Sequence, residues 1–125
     1  MFKKGDVVWS VFSWDDKATV MVKKLTIQSF GKVQGTAFSL KDGKMTKNQI
    51  YANQAGHLHH VADVKNIEEF ALEIAKKHQA KKIEHYKECV HWAYARNESA
   101  DNYYFAMKKN CQEVMDAEPK VIFNV

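Results

Sequence analysis

The chain has 125 residues, 46% of them hydrophobic and 27% charged, which is the length and balance of one globular domain. No apolar run approaches the ~20 residues that a membrane-spanning helix needs, and this sets that class aside. The net charge of +4 is uneven: residues 1–66 hold ten Lys against five Asp, whereas residues 67–125 hold eight Lys and one Arg against ten acids.

Residues 1–64 read as the β part of a single domain spanning 1–125. The start is basic and then apolar, but Ser10 and Ser13 interrupt the apolar part and no small-residue cleavage site follows. No signal peptide is expected, and the cytoplasm is the expected compartment. Strand one, Asp6–Trp14, is apolar on both faces: Val7, Trp9 and Val11 alternate with Val8, Phe12 and Trp14. Asp15-Asp16 marks a turn. Strand two, Thr19–Gln28, places Met21, Leu25 and Ile27 on one face and Val20 and Val22 on the other, with Lys23-Lys24 at an end or a wet edge. Ser29 to Lys32 reads as a turn or bulge. Strand three, Val33–Leu40, carries Gly35, a residue that permits a sharp bend. Asp42-Gly43 is a type I′ hairpin signal, and strand four, Met45–Ala52, follows it. Gln54 to Val64 has no clear period: Ala55-Gly56 marks a turn, and the histidine-rich stretch holds a short strand or a loop.

Residues 65–118 read as helical. Asn66 is placed as an N-cap with Glu69 three residues on, a capping-box pattern. Apolar residues recur at helical spacing at Ile67, Phe70, Ala71, Ile74 and Ala75, and again at Ile83, Tyr86, Val90, Ala93 and Tyr94. A polar centre, residues 76–82, separates the two stripes. Either one helix runs to about Arg96 or two helices bend near Gln79–Lys81. With neither Gly nor Pro there to break it, one long helix is expected. After a connection at 97–99, helix two, Ala100–Ala117, carries a stripe of Tyr103, Tyr104, Met107, Cys111, Val114 and Met115. Pro119 ends it. Residues 119–125 form a final apolar run, expected to return beside the first strands. Cys89 and Cys111, 22 positions apart on these helices, are expected as reduced, buried thiols.

The lead Lys3-Lys4-Gly5-Asp6-Val7-Val8-Trp9, with Phe30-Gly31-Lys32-Val33 and Asp42-Gly43-Lys44, resembles an SH3-like small β-barrel of the kind common in phage- and plasmid-encoded proteins. The resemblance covers the first half of the chain. It implies an α+β fold: an N-terminal SH3-like antiparallel β-barrel or meander, then two helices and a C-terminal strand. Such barrels bind peptides, nucleic acids and proteins alike, so the resemblance leaves the ligand open.

Four groups of residues are candidates for function. His78, His85 and Cys89 fall near one helix face, with His57, His59 and His60 in the loop before it, and zinc accepts such ligands. No CxxC or HxxxH is present, however, and buried thiols with surface histidines are the ordinary reading. Cys89 with His85 or His91 would be a nucleophile and base, but nothing supplies an oxyanion hole or an orienting group. The basic stretch Lys76, Lys77, Lys81 and Lys82 is the best local phosphate candidate, against a solvated face with Glu73 and Lys77 as neighbours. Lys23, Lys24, Trp92 and Phe105 complete the candidates for partner contact, because helix two cannot bury Tyr103, Tyr104 and Phe105 on one stripe.

No Gly-rich phosphate cradle is present, and nothing calls for a cofactor. The expected function is a small non-enzymatic protein-binding module, of the type that inhibits or modulates host machinery, defence included. Its expected partner is a larger protein or nucleoprotein, with a homodimer open through the long helix. The alternative is a nucleic-acid accessory protein using a lysine-rich barrel, although Arg, the usual base reader and phosphate fork, occurs once. A His/Cys enzyme is third.

Overall fold

A computed structural model of the chain describes residues 2–15, 17–41, 44–95 and 102–124. Within them lie β1 (Val7–Ser13), β2 (Thr19–Phe30), β3 (Gln34–Lys41), β4 (Lys44–Tyr51), β5 (Leu58–His60), α1 (Ile67–Ala95), α2 (Asn102–Asp116) and β6 (Lys120–Phe123). Short 3-10 turns, Ala52–His57 and Val61–Asp63, flank β5. The order is the expected α+β one: an N-terminal antiparallel sheet, two helices and a returning strand. The turn at Asp42-Gly43, Asp16, and the connection with Arg96, Asn97, Ser99 and Ala100 lie outside the described residues.

The sheet runs β4-β3-β2-β1-β5, and β6 joins β2 in parallel. β2 is long enough to serve three neighbours. β1 pairs with it from Val20 to Thr26. On its other edge, Thr19–Val22 take β6 and Thr26–Phe30 take β3. The path begins at β4 and ends at β5, and no ladder joins those two among the described residues, so the sheet is open.

Alternation along β1 and β2 builds a core on each face. Val8 opposite Leu25 sets one side, where Ile27, Ala37, Ile50 and Leu58 gather with Phe2 and Phe30 against them. Val11 opposite Val22 sets the other, closed with Val20 by Ala71 and Ala75 of α1. The two small residues sit one helical turn apart and let α1 approach the strands, with Phe70 and Ile74 beside them. Trp14 departs from the expected two-sided strand: β1 ends at Ser13, and Trp14 is 57% exposed.

Gly35 serves a close approach more than a bend. The β2–β3 register shifts between Ile27 and Ser29, and a Cβ on Gly35 would run into the Ser29 carbonyl oxygen and come within 2.8 Å of the Phe30 Cα. α1 is one continuous helix of 29 residues, about 44 Å long. Asn66 Oδ1 accepts the Glu69 N–H at 3.2 Å, as the capping pattern requires. Its first turns lie on the sheet, and the remainder, with α2, forms a helical arm.

Candidate docking surfaces

The polar centre of α1 turns out to be a joint. His78 reaches the β1–β2 turn, with Nε2 2.9 Å from the Asp15 carbonyl and Nδ1 3.3 Å from Ser13 Oγ. A carbonyl only accepts, so Nε2 donates in this contact, while the Ser13 hydroxyl can serve either role toward Nδ1. Gln79 Nε2 donates to the Val114 and Ala117 carbonyls at 2.9 and 2.7 Å, satisfying the open end of α2. Adjacent residues of α1 thus tie it to the sheet and to α2. The turn itself is held by Asp15, whose Oδ1 accepts the N–H groups of Lys17, Ala18 and Thr19 at 2.9–3.0 Å. Desolvation pushes the Asp15 carboxyl up, but the N–H groups of Thr19, Lys17 and Ala18 and the Thr19 hydroxyl outweigh it, and the pKa is lowered.

The metal candidates separate on this geometry. His78 is engaged in the joint. Cys89 Sγ lies 3.7 Å from His85 Nε2, one turn away. Among the described residues no three His, Cys, Asp or Glu side chains come together as a metal set. Cys111 is buried as expected, but Cys89 is only half-buried, and both thiols are free. His59 packs edge-on against Phe70 at 4.8 Å; burial and neighbouring His57 lower its pKa.

The basic candidates also divide. Lys76 pairs with Glu73 at 3.6 Å, so the ion pair falls one residue earlier than the expected Glu73–Lys77. Lys77 and Lys81 are exposed, and Lys82 is half-buried. Lys23 and Lys24 stand on opposite faces of β2: Lys23 Nζ lies 5.9 Å over the Phe12 ring, and Lys24 Nζ lies 5.5 Å over Trp9. Trp92 and Phe105 lie on the arm, each 59% exposed. The helix stripes are narrower than the spacing implied, because Tyr94, Tyr103 and Met115 are also exposed.

One surface escaped the sequence reading. α1 covers the outer face of β1 and β2 but leaves that face of the β3–β4 hairpin bare. There Leu40 and Met45 pair in register at 58% and 68% exposure. With Val7, Lys24, Thr26, Phe38 and Ser39 they line a shallow cleft of about 410 Å³. A second cleft, about 390 Å³, lies on the inner face between the two ends of the open sheet, where Phe12 and Lys23 meet Asn48, Ile50, Tyr51 and His57. β1 to β4 contain several lysines and no acidic residue. The acids of this half, Asp6, Asp15, Asp16, Asp42 and Asp63, all lie outside the strand ranges. Such a surface projects one sign of charge around an apolar centre.

Compared with protein-family models, curated proteins and solved structures, the chain gives no match.

Proposed function

We propose that the protein is a non-enzymatic binding module that docks on an acidic surface of a larger protein. In this reading it belongs to the class of small phage- or plasmid-type inhibitors and modulators of host machinery, defence included. One observation carries it: the strands bear no acid, with Lys24 and Lys47 on the face of exposed Leu40 and Met45 and Lys23 and Lys44 on the opposite face. An apolar centre with a charged surround is the composition of a protein interface, and a single sign selects a partner of the opposite sign.

A nucleic-acid accessory protein would use the same lysines. Against it stands the absence of any arginine from the strands, since a specific reader draws on that side chain. The enzyme reading rests on the Cys89–His85 contact, and among the described residues no third group is shown orienting it.

The test is capture from nuclease-treated host extract. Wild type is expected to retain an acidic protein at low salt and release it as salt rises. Lys24→Glu with Lys47→Glu should lose it, and Phe105→Ser on the arm should keep it. Capture that vanishes with nuclease, or that survives both charge reversals, defeats this reading.

A further inference from the structure

The free edge of β4 supplies a binding mode for that partner, and the inference rests on the docking reading above. β4 is laddered to β3 along its whole length, from Gln34 opposite Tyr51 to Lys41 opposite Lys44. No ladder occupies its other side among the described residues. Ala52 donates its N–H to the Val33 carbonyl at 2.9 Å, one pair beyond that register. Antiparallel ladders alternate, so Met45, Lys47, Gln49 and Tyr51 turn their N–H and C=O groups away from β3.

We propose that β4 accepts an extended acidic segment of the partner protein as an added strand, with its alternate side chains entering the clefts on the two faces of the sheet. The clefts lie where strand addition needs them. Met45 opens on the outer one beside Leu40 and Lys24, and Asn48 and Ile50 open on the inner one beside Phe12 and Lys23. Each face of β4 therefore offers apolar contact and a cation to one half of the added side chains, Met45 with Lys47 on the outer face and Ile50 with Lys44 on the inner. Lys44 and Lys47, exposed on β4 itself, add to the same field. Lysines on an edge also keep sheets from pairing with copies of themselves, and here that exclusion works together with attraction, because the edge repels a second lysine-bearing copy and admits an acidic strand. The occupant must be a polypeptide, since a nucleic acid has no run of N–H and C=O groups to complete the ladder.

The test titrates the isotope-labelled full chain with a blocked peptide of about ten residues alternating Glu and Val, and with its Lys–Val counterpart. The Glu–Val peptide should bind, weaken from about 0.05 M to about 0.5 M salt, and slow amide exchange at Met45, Lys47, Gln49 and Tyr51. Gln49→Pro removes an outward N–H and spares the β3 ladder. It should bind about tenfold more weakly than Gln49→Ala, which loses the same side chain and keeps the donor. No binding at about 1 mM peptide, equal binding of the Lys–Val peptide, protection confined to other strands, or equal affinity of the two folded Gln49 variants overturns the proposal. Should Gln49→Pro fail to fold by circular dichroism, Lys44→Glu with Lys47→Glu decides, and unchanged affinity overturns it. If these tests fail while capture of an acidic host protein persists, the binding module stands without strand addition. If capture fails too, both readings fall.

Discussion

The bare sheet face and the helical arm both expose large apolar side chains, yet they differ in charge and in backbone. On the sheet, Leu40 and Met45 sit on strands whose only charged residues are lysines, beside an edge strand with half its polar backbone groups unladdered. On the arm, Trp92, Tyr94 and Phe105 are equally exposed. There Lys81, Lys87, Lys108 and Lys109 alternate with Glu84, Glu88, Glu113 and Asp116, and the helices use their own peptide groups. A surface of one sign repels its own copy and selects an opposite partner. A surface of mixed signs makes no such choice. Apolar exposure alone therefore does not single out a binding surface, and the sign of the surrounding charge does.

The largest expected effect removes the sheet side of this comparison. Gly35→Ala would drive a Cβ into the Ser29 carbonyl and the Phe30 Cα at the β2 bulge, both backbone groups that cannot swing aside. We expect a loss of about 3 kcal/mol, read as a lower denaturant midpoint. Amide protection should fall first in β3 and β4, and α1 and α2 should hold theirs. Equal loss throughout would mean that hairpin and arm unfold as one unit and that the regional contrast does not extend to stability.

A smaller effect loosens the arm. Gln79→Ala takes the side-chain donor from the Ala117 carbonyl and from the Val114 carbonyl, which keeps only the Ala117 N–H at 3.2 Å, in a partly buried site, and this should cost about 2 kcal/mol. Amide exchange should quicken in α2 while the β1–β2 ladder stays protected. A uniform change across both regions would refute the joint as the arm's fastening.

Gln79 also shows where sequence reasoning stops. Features that depend on neighbours in sequence were legible: the alternation of Val8, Val11, Val20 and Val22, the Asn66 cap, and the apolar run after Pro119 that returns to β2. The continuity of α1 followed from the lack of Gly or Pro between its stripes. What Gln79 and His78 do depends on groups more than thirty residues away; between lysines Gln79 reads as solvated surface, and His78 as a surface histidine or a zinc ligand. Leu40 and Met45 failed in the opposite way. Their alternation assigns them to the face that α1 covers, but how far a helix extends across a sheet is decided by packing. Of the candidate site, the sequence singled out Lys23 and Lys24, whereas Lys44, Lys47 and the apolar centre stayed hidden.

The smallest expected effect lies at the turn that joins the two regions. Asp15 holds three backbone N–H groups, and its own carbonyl meets His78. Asp15→Ala should cost about 1 kcal/mol at neutral pH, the usual worth of a side chain that caps a turn of backbone donors. The folded-state pKa lies below the ordinary carboxylate value, so the unfolded chain takes up the proton first. The contribution is therefore complete above the unfolded pKa of ~3.9 and fades as pH falls through the folded one. Wild type and Asp15→Ala should differ most above about pH 5 and converge toward pH 2. A gap that stays constant across that range would mean that Asp15 supports the turn through packing and not through its charge. Because the turn touches β1, β2 and α1 together, its loss should weaken sheet and arm alike, in contrast to the two regional variants.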